Sequence, residues 1–264
     1  MRVALVTGAS SGIGREFARL ADGSGRYDQI WAVARRRDRL EQLAAECSTE
    51  VRPFALDLTL PQSVDALGQS LSQERERLAA AGDDLTVGLL VNAAGFARLG
   101  TFDSVSREDR DAMIDLNCRA LTDLTAACVP FMARGSRIIE VASMAGFLPL
   151  PHLNVYAATK AYVVSYTRSL RWELAGSGIH ATALCPQWAR TEFERVSRET
   201  ARPQDVRHQW PSVSPRRVAR WAMAVNACNL PVATCGLYAF VVRLAAKIIP
   251  NPVLMAFWEL FRRL

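Results

Sequence analysis

The stretch "VALVTGASSGIG", residues 3–14, joins a short apolar run to a glycine-rich turn. Its glycines, Gly8, Gly12 and Gly14, follow the spacing G-x-x-x-G-x-G rather than the usual G-x-G-x-x-G. Glycines at these positions allow a tight turn and bring backbone N–H groups close to a pyrophosphate, whose charge is favoured by the N-terminus of the following helix. Many proteins use glycine turns for backbone reasons alone, but a strand before this turn and a helix after it favour dinucleotide binding.

Outward from this turn, apolar runs and helical patterns alternate along the chain. The predicted strands are "VALVTG", "QIWAVA", "VRPFALD", "TVGLLVN", "RIIEVAS" and "IHATALCP". Helical patterns fill the gaps near 13–22, 36–46, 61–80, 107–133, 154–175 and 215–228. This alternation predicts an α/β fold, a single-domain Rossmann-type doubly wound parallel sheet flanked by helices over residues 1–264. Ligands of such sheets bind beyond the carboxyl ends of the strands.

Composition limits the class of partner. The chain has 264 residues, 50% of them hydrophobic, and carries 32 Lys/Arg against 26 Asp/Glu, a formal net charge of +6. This charge favours anionic ligands but gives no reason to expect nucleic acid. The charge-free run from Trp221 to Val242 contains Asn226, Asn229 and Pro231, so we expect a buried helix, a turn and a strand there.

Cysteine usage favours a reducing compartment. The six cysteines form no C-x-x-C pair and have no histidine nearby at metal-ligand spacing, so we expect reduced thiols and no metal site. Because the first predicted strand begins almost at once, we do not expect a secretion signal. A cytoplasmic location is the expectation.

The end of the second predicted strand bears on the choice of dinucleotide. An acidic side chain there binds a ribose 2′-hydroxyl, whereas a cation accommodates a 2′-phosphate. The sequence "AVARRRDRL" places Ala34 at the acidic position and Arg35 and Arg36 after it. Guanidinium groups suit phosphate, so we expect NADP(H), bound mainly through Arg35. The alternative is that these arginines only solvate the start of a helix.

Tyr156 and Lys160 stand four residues apart on the predicted helix 154–175 and therefore share one of its faces. Such a pair alone is common on helix surfaces. Reduction of a ketone needs a positioned acid for the developing alkoxide, and an ammonium group beside a tyrosine lowers the pKa of its hydroxyl. Ser143 follows a strand 13 residues earlier and could donate a hydrogen bond to the substrate oxygen.

Together these motifs resemble the short-chain dehydrogenase/reductase family. The matches are "TGASSGIG", "DL" at 57–58, "NAAG" at 92–95, Asn117, Ser143 and "YAATK" at 156–160, in the family's order as far as about Thr191. The resemblance implies an oxidoreductase acting on C=O and CH–OH groups with catalytic residues Asn117, Ser143, Tyr156 and Lys160. It also implies that Lys160 holds the nicotinamide ribose and that Asn117 orders a water in a proton relay.

The resemblance extends to the cofactor-binding residues. They are Gly8, Ser10, Ser11, Gly12, Ile13, Gly14, Arg35, Arg36, Asp57, Leu58, Asn92, Ala93, Gly95, Tyr156, Lys160, Pro186 and Thr191. Asp57 would meet the adenine amino group, although an aspartate at a strand end also suits an ordinary turn. The sequence departs from the family pattern twice, with Ala93 in place of an asparagine and Gln187 in place of the glycine after Pro186.

Two variable regions bear on the substrate. The loops at 144–154 and about 186–214 carry many apolar side chains, including Trp188, Phe193 and Trp210, so an extended hydrophobic ketone or secondary alcohol, steroid-like or acyl, is expected. His152 could contact substrate or lie at the surface. The amphipathic segment at about 237–264 could serve as core packing or subunit interface, as a lid, or as a membrane-surface contact.

Two classes of function remain open. The leading hypothesis is an NADP(H)-dependent oxidoreductase, and the alternative is a non-catalytic NADP(H)-binding sensor or scaffold of the same fold. The resemblance further implies a homodimer or homotetramer built on the helices near 107–133 and 154–175.

Overall fold

The computed structural model of the protein describes residues 1–201 and 212–262. Within these ranges the main sheet has seven parallel strands in the order β3-β2-β1-β4-β5-β6-β9, which confirms the predicted doubly wound fold. A small parallel pair, β7–β8, lies apart from it. The strands are β1 Arg2–Thr7, β2 Gln29–Ala34, β3 Glu50–Ala55, β4 Thr86–Asn92, β5 Arg137–Val141, β6 His180–Pro186, β7 Trp188–Ala189, β8 Ser212–Val213 and β9 Val232–Cys235.

Helices cover both faces of the sheet because its strands are apolar on both sides. The helices are α1 Gly12–Asp22, α2 Arg37–Glu46, α3 Pro61–Ala79, α4 Arg107–Ile114, α5 Leu121–Cys128, α6 Asn154–Glu173, α7 Glu192–Ser197, α8 Pro215–Ala227, α9 Leu237–Ile248 and α10 Asn251–Phe261. The largest hydrophobic clusters lie between the sheet and α1, α2 and α8, and under α3 and α5. The segment predicted to be helical near 107–133 is not one regular helix, because a π-helical turn, Asp115–Ala120, joins α4 to α5.

The chain leaves β1 in one direction to form β2 and β3, then crosses back to place β4 on the other side of β1. At such a switch point the connections after the two strands diverge and leave a crevice at their carboxyl ends. Gly8 follows β1 and Ala93 follows β4, so the glycine-rich turn and the "NAAG" segment face each other at this crevice.

The C-terminal helices extend the fold beyond the sheet. The run from Trp221 to Val242 forms the end of α8, a turn and β9 as expected, but its last residues begin α9. The α10 helix returns across the carboxyl ends of the strands, where the Trp258 indole N–H donates to the Pro151 carbonyl at 2.9 Å. Among the described residues, no helix combines the length and apolarity needed to cross a membrane.

Candidate active site

The glycine-rich turn is packed so closely that side chains are excluded from it. Gly8 and Gly12 have φ of 67° and 55°, values that favour glycine. A Cβ on Gly14 would lie 2.4 Å from the Gly8 carbonyl oxygen, and one on Gly8 would lie 2.9 Å from the backbone of Ala93. The backbone therefore turns tightly onto the N-terminus of α1 and lines a cavity there, a cradle that fits the pyrophosphate of a dinucleotide.

A single cavity of about 1020 Å³ connects this cradle to the C-terminal helices. Its volume suits a dinucleotide together with a substrate. It is lined by most of the sequence-predicted cofactor residues: Gly8, Ser10, Ser11, Gly12, Ile13, Gly14, Arg35, Arg36, Asp57, Leu58, Ala93, Gly95, Tyr156, Lys160, Pro186 and Thr191. Ser143 lines it as well, whereas Asn92 and Asn117 do not.

The two arginines after β2 differ in their surroundings. Arg36 donates to Ser10 Oγ at 3.1 Å and forms a 2.8 Å ion pair with Glu192 on α7. Arg35 is exposed at the cavity, and no described residue forms a hydrogen bond or ion pair with it. Arg35 is therefore the cation whose donors are available to an anionic ligand group.

Asp57 and Asn92 have structural partners. Asp57 Oδ1 accepts from the backbone N–H and the hydroxyl of Thr59, at 3.0 and 2.8 Å, and so holds the turn after β3. Asn92 is buried and donates to Glu140 Oε1 at 3.1 Å and to Thr125 Oγ1 at 2.9 Å. Asn92 thereby ties β4 to β5, and its cofactor role stays a prediction.

Ser143 and Tyr156 meet at the middle of the cavity, where their hydroxyls are hydrogen-bonded. Ser143 follows β5, and its Oγ accepts from the Ala145 N–H at 3.1 Å. The next turn packs directly on α6, because a Cβ on Gly146 would lie 2.5 Å from the Lys160 carbonyl oxygen. Since this contact fixes the strand end against the helix, it also sets the Ser143–Tyr156 geometry.

Lys160 is buried beside Tyr156, with its Nζ 5.7 Å from the centre of the tyrosine ring. The ammonium donates to the Val141 carbonyl at 2.7 Å. Burial lowers the pKa of Lys160 to about 8, and burial raises the pKa of Tyr156 to about 12 against the smaller opposing effect of the Ser143 hydrogen bond. The expectation that the ammonium lowers the tyrosine pKa is thus not met in the protein alone, because desolvation dominates.

Asn117 occupies the π-helical turn between α4 and α5 and is fully buried. Its amide accepts from the Phe96 N–H at 3.1 Å and donates to the Phe96 carbonyl at 3.0 Å and to Thr159 Oγ1 at 3.1 Å. Gly95 permits this approach, since a Cβ there would lie 2.9 Å from Asn117 Oδ1 and 3.4 Å from Lys160 Nζ. The turn thus brings Asn117 near Lys160, in keeping with the frequent occurrence of π-bulges at functional sites.

The far end of the cavity is strongly apolar. Its lining there comprises Leu148, Leu150, Leu153, Trp188, Phe193, Tyr238, Val241, Val242, Leu254, Phe257, Trp258 and Phe261. The Phe193 ring lies 5.6 Å from the Tyr156 ring, so the predicted substrate loop reaches Tyr156. Trp210 and the rest of 202–211 lie outside the described residues. His152 faces Glu259 of α10 at 3.9 Å and does not line the cavity.

Sequence reasoning missed several residues that shape the site. Glu192 pairs with Arg36 across the cavity. Arg98, in the loop after β4, pairs with Asp109 of α4 at 2.9 Å and with Glu199, just beyond the end of α7, at 2.7 Å. Glu140 lies fully buried behind Lys160. No local pattern marks these side chains, because their partners are distant in sequence. The amphipathic pattern of the segment at about 237–264 was the available signal for Trp258.

Comparison with known proteins agrees with this geometry. The family model described as short chain dehydrogenase matches residues 2–202. A curated relative, sulfoacetaldehyde reductase 2 from Chromohalobacter salexigens, is 34% identical over 203 residues, which cover 74% of this chain and 75% of that protein.

Solved structures share the whole architecture. A short-chain dehydrogenase from Sphingobium yanoikuyae in complex with NADPH is 30% identical, with a TM-score of 0.76 and coverage of 97% of this chain and 96% of that one. A short-chain dehydrogenase/reductase from Burkholderia phymatum in complex with NAD is 24% identical and shares the fold, with a TM-score of 0.77 and coverage of 94% of both chains. The chain therefore belongs to the short-chain dehydrogenase/reductase family, oxidoreductases that use a nicotinamide cofactor.

Proposed function

We propose that this protein is an NADP(H)-dependent oxidoreductase that interconverts a hydrophobic ketone and its secondary alcohol. The observation that carries the proposal is the position of Ser143 and Tyr156, midway along a single cavity with a glycine cradle at one end and an apolar chamber at the other. A cofactor in the cradle and a substrate in the chamber would meet at these two hydroxyls.

The chemistry follows from the protonation state of these groups. With a pKa of about 12, Tyr156 carries its proton at neutral pH and can donate it to the oxygen of a carbonyl as that oxygen gains negative charge. The Ser143 hydroxyl donates a hydrogen bond to the same oxygen. A bound nicotinamide supplies the hydride in this direction and accepts it in the reverse direction.

Lys160 and Asn117 would serve proton supply and cofactor orientation. Lys160 is charged at neutral pH and lies behind Tyr156, so its ammonium would stabilise a phenolate after proton transfer and hold a ribose hydroxyl. Asn117 already uses its side-chain amide on Phe96 and Thr159. Its contribution to a water relay would therefore come through the backbone of the π-helical turn.

The cofactor proposal depends on Arg35. This guanidinium is available at the end of β2, where Ala34 leaves no carboxylate to repel a 2′-phosphate. Arg36 would take part only if it left Glu192, its present partner. Replacement of NADPH by NADH should therefore weaken binding, and measured efficiencies that favour NADH would overturn this part of the proposal.

The substrate proposal depends on the apolar end of the cavity. Arg98 and Arg195 line it, and both face carboxylates, with Glu199 shared between them. The described residues therefore offer no unpaired cation there for a small anionic substrate such as a sulfonate. Leucine and aromatic side chains favour an extended apolar ketone instead, of the steroid or acyl type.

The decisive experiment compares Tyr156→Phe with wild type on NADPH oxidation by a panel of steroid ketones, 3-oxoacyl thioesters and small aliphatic ketones. We expect wild-type turnover with a bulky apolar ketone and a loss of about 10²–10⁴-fold in Tyr156→Phe, while NADPH binding measured by fluorescence is retained. Tyr162→Phe is the matched control, because Tyr162 bonds Thr122 on the outer face of α6 and does not line the cavity. NADPH binding without turnover of any substrate would favour a non-catalytic sensor.

We also propose that the protein is a cytoplasmic homodimer or homotetramer. The outer face of α6 exposes Tyr162 and Trp172, and Tyr162 stacks on Tyr166 at 5.9 Å, which supports a homodimer or homotetramer through α4–α5 and α6. A monomer in light scattering would contradict this. All six cysteines are free, which supports a cytoplasmic setting.

A further inference from the structure

The exposed face of α9 is apolar, the reverse of an ordinary surface helix. Leu237, Phe240, Val241, Leu244 and Ile248 recur at helical spacing along one face. All five are exposed, Leu237 and Ile248 by 79% and 82%. Surface helices of globular proteins normally present polar side chains outward, so this face requires a covering partner.

The α10 helix continues the same surface. Its exposed apolar residues are Val253, Phe257 and Leu260, while Leu254 and Trp258 face inward and are buried. The helix is thus apolar on both sides. We call the eight exposed residues of the two helices the apolar stripe: Leu237, Phe240, Val241, Leu244, Ile248, Val253, Phe257 and Leu260. Most soluble proteins expose apolar residues singly, whereas these eight form an extended apolar surface.

The charged side chains of the two helices are mostly basic. The α9 helix carries Arg243 and Lys247, and Glu259 of α10 is the one acidic residue on either helix. Glu259 is itself paired with Arg262 at 2.5 Å. This distribution complements an anionic surface. It also opposes a second copy of the same face, since two such faces would bring like charges together.

The apolar stripe is continuous with the substrate end of the cavity. Val241 and Phe257 line the cavity, yet 53% and 64% of their surfaces remain exposed. The mouth of the apolar chamber therefore opens between α9 and α10, within the apolar stripe. An apolar molecule dissolved in a bilayer would reach the chamber there without crossing water.

We propose that the α9–α10 pair docks on the surface of an anionic lipid bilayer, with the apolar stripe at the acyl boundary and Arg243 and Lys247 at the headgroups. The helices have 12 and 11 residues, about 18 and 16 Å of length, whereas the hydrocarbon core is about 30 Å thick. They would therefore lie in the interface rather than span the bilayer.

The test is co-sedimentation of the full-length protein with vesicles of phosphatidylcholine alone or mixed with phosphatidylserine. The stripe variant is Leu244→Gln/Ile248→Gln/Leu260→Gln, whose three side chains are exposed and do not line the cavity. The matched control is Leu60→Gln/Leu230→Gln, two exposed leucines elsewhere. Thermal melting and circular dichroism check that each variant is folded.

We expect wild type and control to sediment with phosphatidylserine vesicles and the stripe variant to bind at least about tenfold more weakly. Lys247→Glu should weaken binding several-fold because it reverses a charge that attracts the headgroups. High salt should weaken binding several-fold because it screens that attraction. The proposal is overturned if wild type fails to sediment, or if the stripe variant sediments like wild type. It is also overturned if the stripe variant only shifts the oligomeric state, which would assign the surface to a second copy. Binding is measured without turnover, so the result is independent of the proposed catalytic function.

Discussion

Substitution of Glu140 by glutamine should change how the stability of the protein depends on pH. Glu140 is fully buried in β5, and burial raises the pKa of its carboxyl group from 4.5 to about 7. Its Oε1 is 2.9 Å from Thr125 Oγ1, and the same hydroxyl oxygen is 2.7 Å from the Leu121 carbonyl oxygen, so the single hydroxyl proton is shared between two acceptors. A protonated Glu140 can donate to Thr125 and leave that proton for Leu121, so the neutral acid satisfies both contacts.

The magnitude follows from linkage. Because the folded-state pKa is raised, the contribution of Glu140 to stability is fully present below pH 4.5 and is lost as the pH rises through about 7. The difference between the folded-state and unfolded-state pKa values of Glu140 corresponds to a change of about 3 kcal/mol in the free energy of unfolding. Lys160 titrates at about pH 8 and higher, outside this window, and its lowered pKa acts in the opposite direction.

The assay is denaturant unfolding of wild type and Glu140→Gln at several pH values between 4.5 and 8. Other titrating groups are common to both proteins, so the difference between the two curves isolates Glu140. We expect that difference to move by about 3 kcal/mol in favour of the variant as the pH rises, whatever its offset at low pH. The exposed Glu76→Gln should show no such change. Parallel curves for wild type and Glu140→Gln would refute a neutral, buried Glu140.

Further predictions concern the cofactor and the cavity. Gly14→Ala should abolish cofactor binding, measured by NADPH fluorescence, because the new Cβ would lie 2.4 Å from the Gly8 carbonyl. Arg35→Ala should raise the KM for NADPH about 10- to 100-fold and leave that for NADH unchanged, since one charged contact to phosphate is worth about 1.5–3 kcal/mol; equal effects on both would contradict its phosphate role. The kcat/KM of the wild type should fall as the pH rises through about 8, where Lys160 loses its proton, and a profile flat to pH 10 would exclude a need for the ammonium. Trp258→Phe removes the bond to the Pro151 carbonyl, so the KM for bulky ketones should rise while that for small ones stays the same.

Much of the fold was readable from local pattern. Buried parallel strands appear in the sequence as continuous apolar runs, so the sheet could be predicted. The turn after β1 needs backbone conformations that only glycine adopts readily, so the cradle could be predicted from its glycines. The i, i+4 spacing likewise places Tyr156 and Lys160 on one helix face. The interruption between α4 and α5 was not predictable, because the π-helical turn depends on bonds from Asn117 to Phe96, across the site.

The sequence by itself determined the doubly wound sheet, the glycine cradle and the candidate catalytic pair Tyr156 and Lys160, because each is expressed in short-range spacing. Only the tertiary structure decided which side chains are engaged and which are available. It paired Arg36 with Glu192 and left Arg35 exposed, and it buried Glu140 behind Lys160. It also turned an apolar face of α9 outward at the cavity mouth. These outcomes depend on contacts between residues far apart in the chain, and no local period encodes which partner a charge or an apolar face will meet.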